Sequence, residues 1–323
     1  MAGHHHHSHP PAGNQAIQLR LGVAILLTLI LVVAEIMTGL LANSLALLTD
    51  ALHNFTDIAA LLLTAFALRL EQRPAHAGKT FGYHRVGILA ALVNATTLGL
   101  MAFGIFHEAW QRFLAPPPVD STLLMAMGAV AFGVNLFTAW LIGHGSSEDI
   151  NLHSAFLHLL GDAFSTLGAV VAGFCIRLTG YAWLDPAVSL LIGCLILWNA
   201  GLIVRETLDI LMESTPDDVE VSTLIRDILQ IDGIRGVHHL HVWSLSRRLR
   251  LLTAHVVVDD MPISQATRIR RQVQQIVEQG HGITRCTLQL EHTGCEPDSL
   301  YIDMKQPTPH AHPHHETPHS HHA

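Results

Sequence analysis

The chain has 323 residues, 50% of them hydrophobic and 14% charged, with a mean hydropathy of +0.36. That is a membrane composition, long enough for a helical bundle and one small soluble domain. No basic block or aromatic-interleaved patch points to nucleic acid, and the formal charge of −8 counts all 25 histidines as neutral. Four cysteines without a CxxC pair exclude a disulfide framework. With Cys286 and Cys295 near the C-terminus, a reducing cytosolic setting is expected for that end.

In chain order, residues 1–16 form a tail with the string "HHHHSHP", matched at 301–323 by "HAHPHHETPHSHHA"; together the tails hold twelve histidines. Both are interrupted by Ser, Pro, Ala or Glu, which favours native metal-collecting tails over a purification tag, and neither is expected to fold. Six apolar runs follow, near residues 17–41, 45–69, 86–110, 120–143, 152–177 and 184–206. Each approaches or exceeds the roughly 20 residues that a helix needs to cross a bilayer, so 17–212 is expected to be a six-span transmembrane domain. "APPPVD" at 115–120 and "RLTGYAW" at 177–183 read as turns. Arg20 leads straight into a full-length span, so no cleavable signal is expected. With the N-terminus inside, Arg20, Arg69, Arg73, Lys79, Arg85 and Arg205 face the cytosol and only Arg112 and Arg177 face out. An even number of spans returns the C-terminal part to the cytosol.

After "MESTPDD" the composition changes. Thr215 and Asp217 are candidate caps for a helix running to about residue 230, where Val219, Leu224, Ile225 and Ile228 form a stripe. "VHHLHVW" and "LLTAHVVV" read as strands, 264–279 as a helix and "CTLQLE" as a last strand. The order α-β-β-α-β predicts a two-layer α+β domain over 213–300.

The second span sets Asp50, His53 and Asp57 three and four residues apart, on one helical face. A charged residue at the centre of a membrane helix costs about 2.5–3.5 kcal/mol, so three polar groups there need a reason. The fifth span repeats the device with His158 and Asp162 at i and i+4. Two imidazoles and two carboxylates make a tetrahedral shell suited to zinc. Two ionised aspartates cancel the charge of a divalent ion; emptied, the site needs protons instead, on histidine or carboxylate. Such a site is a metal–proton exchanger in outline. Glue between helices is the bland alternative for buried polar groups. Asp50 and Glu35 either line a water-filled path or pair with a neighbouring span.

"LLTDALHNFTDIAALLL", "FGYHRVGILAALVNA", "HLLGDAFSTLGAVVAG", "LDPAVSLLIG" and "HHLHVWSL…LLTAHVVV" together resemble the cation diffusion facilitators, zinc exporters of the bacterial zinc/cadmium/cobalt-resistance type, from about residue 17 to 291. The resemblance implies an inner-membrane homodimer of six-span protomers that exchanges cytosolic Zn²⁺ for protons and carries a cytosolic metallochaperone-like domain. It implies His53, Asp57, His158 and Asp162 as the transport site, and His238, His255 and Glu291 as ligands of a cytosolic, regulatory zinc site. Some relatives bind zinc in the loop between spans two and three. Here Lys79 and Tyr83 occupy two of those positions and only His76 remains, so that site is not expected. His241 is a further candidate in the cytosolic domain, although strand alternation would aim it away from His238. Cys295 lacks a CxxC partner and is a weak candidate.

The reading is therefore a secondary active antiporter, not an enzyme, exporting Zn²⁺ and also Cd²⁺ or Co²⁺ by alternating access. An intramembrane zinc hydrolase would need an open coordination position and a base such as HExxH supplies, and no such string occurs. A membrane-bound zinc sensor or metal-storage protein accounts for the tails and the soluble domain, but leaves the two buried HxxxD pairs unexplained.

Overall fold

A computed structural model describes residues 12–143, 150–247 and 249–292. Residues 1–11 of the N-terminal tail, all of the tail at 301–323 and Cys295 lie outside the described residues. Residues 12–16, expected to belong to the tail, are already helical.

The chain divides into two compact units after Leu211. The first is six helices: α1 (Ala12–Ala42), α2 (Leu45–Glu71), α3 (Val86–Leu114), α4 (Ser121–Gly143), α5 (Ile150–Thr179) and α6 (Leu184–Leu211). All six are long and apolar enough to cross a membrane. Leu, Ala, Val and Phe dominate their composition. Helices α4 and α5 pack together, as do α3 and α6, while α1 lies against α2 and α4. Glycines permit the close approaches. A Cβ at Gly128 would stand 2.9 Å from Val170, and one at Gly193 would stand 2.8 Å from Phe106.

Only Asn43 and Ser44 separate α1 from α2. Asn43 takes φ +52°, a left-handed conformation that asparagine tolerates. The start of α2 is then held by a side chain from α6. The Asp185 carboxylate accepts from the Ser44 hydroxyl, from Leu45 N–H at 2.6 Å and from Ala46 N–H at 3.2 Å. These amides have no partner inside their own helix, and a carboxylate at a helix N-terminus also meets the positive end of the dipole.

The second unit runs α7 (Val221–Leu229), β1 (Ile234–Ser246), β2 (Leu249–Val258), α8 (Ile263–His281) and β3 (Arg285–Glu291), the α-β-β-α-β order expected. The sheet order is β1-β2-β3, with β1 antiparallel and β3 parallel to β2. Leu224 and Ile228 of α7 and Ile269, Val273 and Val277 of α8 pack with Leu240, Val242, Leu252 and Val256 on one sheet face. The helix expected from Thr215 starts later. Val219 N–H bonds to the carbonyl of Pro216, closing a turn, and Glu220 takes the N-cap position. The Glu220 carboxylate accepts from the hydroxyls of Ser222 and Thr223, which hold it below the usual carboxylate range.

Strand β1 does not alternate throughout. His238 pairs with His255 and His241 with Thr253, so three steps on β1 oppose two on β2. The extra residue is a bulge, with His239 at φ +50°.

Candidate metal centre

The α2 and α5 pairs meet inside the six-helix unit. His53 Nε2 lies 3.7 Å from Asp57 Oδ2 along α2 and 3.6 Å from Asp162 Oδ1 across to α5. His158 Nε2 lies 3.0 Å from Asp57 Oδ2 across the helices and 3.7 Å from Asp162 Oδ2 along α5. Imidazole and carboxylate thus alternate around a closed ring of four. A tetrahedral zinc with bonds of about 2.0–2.1 Å sets its ligand atoms about 3.3–3.4 Å apart. The four observed edges bracket that value. The helical i, i+4 spacing supplies two edges and the α2–α5 approach the other two. The ring is unevenly covered: the His158 side chain is 51% exposed and that of Asp162 8%.

The accessory candidates divide. Glu35 and Asp50 are buried close to one another and to Asp162, and Asn54 donates to Glu35 Oε2 at 3.5 Å. His76 stays apart in the exposed loop between α2 and α3. Its Nδ1 accepts from Gly78 N–H at 3.2 Å and its Nε2 stands 3.2 Å from Tyr83 Oη, so it organises that loop.

In the second unit, His238, His255 and Glu291 converge on the sheet face opposite the helices. Glu291 Oε2 is 3.3 Å from His238 Nε2, and Oε1 is 2.8 Å from His255 Nδ1. That His255 nitrogen nevertheless makes no hydrogen bond, and neither nitrogen of His238 does, although His238 is buried. Buried imidazole nitrogens without a hydrogen-bond partner, gathered beside a carboxylate, are what an ion would satisfy. The bulge adds His239, whose ring centroid is 4.8 Å from that of His238 and 4.7 Å from that of His255. Burial, then the imidazoles of His255 and His238, hold His239 below the ordinary histidine range, which favours the neutral, ligating form. The sequence reading did not single out His239. The same bulge corrects His241: the extra residue resets the alternation, so His241, paired with Thr253, shares the sheet face of His238 and His255. Asp185, which fixes the start of α2, was also absent from the candidates.

Six span-length helices enclosing an imidazole–carboxylate ring, followed by a separate α+β domain, fit the class of membrane carriers for metal cations. The chain belongs to the cation efflux family: residues 21–212 match its transmembrane domain and residues 216–293 its cytoplasmic domain. It is an integral membrane protein of that family. Among similar proteins are "Zinc transporter ZitB" of Pectobacterium atrosepticum, 38% identical over 91% of each chain, and the "Cadmium, cobalt and zinc/H(+)-K(+) antiporter" of Bacillus subtilis, 35% identical over 88% of this chain and 91% of that one. The "Metal cation efflux system protein CzcD" of Cupriavidus metallidurans is 33% identical over 92% of each.

Proposed function

We propose that this protein exports Zn²⁺, with Cd²⁺ and Co²⁺ as further cargo, from the cytosol in exchange for protons by alternating access. The observation that carries the reading is the alternating ring of His53, Asp57, His158 and Asp162, with edges of 3.0–3.7 Å, in which His53, Asp57 and Asp162 offer ligand atoms within 4.8 Å of one another. The named cargo of the relatives agrees with that chemistry. Two carboxylates neutralise the divalent ion; when it leaves, H⁺ on the same groups is the least costly replacement in a poorly solvated place.

The positive charges put both termini in the cytosol. In that orientation His158 and Asp57 are the cytosolic members of their helices. They are also more exposed than His53 and Asp162, as in a carrier open inward. The domain boundaries proposed are a tail to residue 16, the transport domain at 17–212, the cytosolic domain at 213–300 and a His-rich tail beyond. His238, His239, His255 and Glu291 form a second zinc site, regulatory because it lies in the cytosolic domain. Pairing of two protomers into a homodimer follows the family.

The test is metal uptake into proteoliposomes under an imposed pH gradient, with lumen pH recorded alongside and Zn²⁺ compared with Cd²⁺, Co²⁺ and Mn²⁺. Gradient-driven zinc movement with opposite proton movement is expected. Zinc flux without proton movement, at a rate indifferent to pH through the histidine range, would make the protein a uniporter.

A further inference from the structure

One buried polar cluster is left unused by the metal ring. Glu35 of α1 is 0% exposed and Asp50 of α2 is 2% exposed. The two carboxyl groups lie within interaction range of each other, and Asn54 directs its amide at Glu35. Glu35 Oε1 and both oxygens of Asp50 have no hydrogen-bond partner. Asp50 lies one turn, about 4.5 Å, from His53 toward the start of α2.

Among the described residues no lysine or arginine acts on the pair, and His53 is a cationic neighbour of Asp50 only when protonated. Asp162 of α5 faces both carboxyls and His53 faces Asp50. Helix α4 has no titratable residue, and residues 22–42 and 45–68 of α1 and α2 contain no lysine or arginine. Asp185 of α6 is engaged by the start of α2. On α3, Arg112 pairs with Glu108 and the carbonyl of Asn43. Two adjacent buried carboxylates without a permanent cation repel one another and lose their hydration. One proton held between them removes both costs and gives an unpaired oxygen a donor. Ca²⁺ would need more oxygen ligands, about six to eight, than two carboxyls and one amide supply.

We propose that Glu35 and Asp50 form a proton-holding carboxyl pair, a second cation site beside the metal ring that keeps one H⁺ whether or not the ring is loaded. The presence of this proton does not rest on the antiport reading.

Infrared spectroscopy of the full chain in lipid, zinc-loaded at neutral pH, tests the presence. Zinc keeps Asp57 and Asp162 ionised, so the C=O stretch of a protonated carboxyl is expected from the pair. That band is expected to disappear in Glu35→Gln/Asp50→Asn. Absence of the band from the parent protein overturns the proposal, as does an unchanged band in the double variant. Replacing Na⁺ by K⁺ is expected to leave the band in place; loss of the parent's band in K⁺ would assign the pair to a monovalent cation instead. Should the double variant fold poorly, Glu35→Asp in its place is expected to shift the band's frequency, and an unshifted band would overturn the assignment. In proteoliposomes, the double variant is expected to bind zinc within twofold of the parent, because the pair lies outside the ring. If the parent itself moves no protons with zinc, the antiport reading fails while the infrared result still decides the pair.

Discussion

At the scale of single residues, the ring leaves no ligand to spare. Losing even an outer partner of a metal ligand costs about 10–100-fold in affinity or activity, so Asp57→Ala or Asp162→Ala should lower zinc flux by more than about 100-fold. The protein should still assemble in detergent, as size-exclusion chromatography would report. Near-normal flux in either variant would remove these residues from the site. His53→Asp leaves one imidazole among three carboxylates, a harder and more negative shell. The ratio of Cd²⁺ to Zn²⁺ transport should rise, read from parallel uptake assays, and an unchanged ratio would count against ligand control of selectivity. The HxxxD pairs were legible in sequence because i, i+4 spacing fixes a shared helical face. His239 was not legible. Its contribution depends on a bulge, and nothing in "VHHLHVW" marks where alternation breaks.

At the scale of elements, the bulge and the α2 cap each carry an expected outcome. Holding His239 at φ +50° costs about 1 kcal/mol that glycine would not. His239→Gly should therefore stabilise the zinc-free fragment 213–300 by about that amount while reducing its zinc-dependent gain, which is about 2.7 kcal/mol at a hundredfold excess over Kd for an intact site. Thermal melts with and without zinc separate the two effects, and an unreduced zinc gain would exclude His239 as a ligand. The pH dependence has a definite sign. Burial favours neutral His239, so acid must protonate it in the fold at a cost, whereas the unfolded chain takes the proton near about pH 6.5. The zinc-free fragment should thus be fully stable above that pH and lose stability below it. Melts on either side of that pH, repeated on His239→Gly, isolate this contribution. For α2, Asp185→Ala strips acceptors from two buried amides, at about 1–3 kcal/mol each, and the melting temperature in detergent should fall. A melting temperature equal to the parent's would mean that water or another side chain takes over the cap. Span number and strand order were readable from hydropathy and β-rich runs, whereas the trans-helix cap was not, because Ser44 and Asp185 are 141 residues apart.

At the scale of the whole molecule, the two-residue connection at Asn43 and Ser44 has a mechanical result. A Cβ at Gly39 would stand 3.0 Å from Leu48, so α1 and α2 are also closely packed beside that connection. This hairpin carries His53, Asp57, Glu35 and Asp50 together. The other half of the ring rides on α5, which is sheathed by α4 and meets α2 over a short stretch. The ring therefore adds a direct tie between α2 and α5, which are otherwise linked mainly through α1 against α4 and through α6. With metal or protons in place that tie is held; with neither, the like charges of Asp57 and Asp162 weaken it. On the transport reading proposed above, an ion leaving without protons to replace it would loosen that tie, so the same two aspartates would hinder an idle stroke.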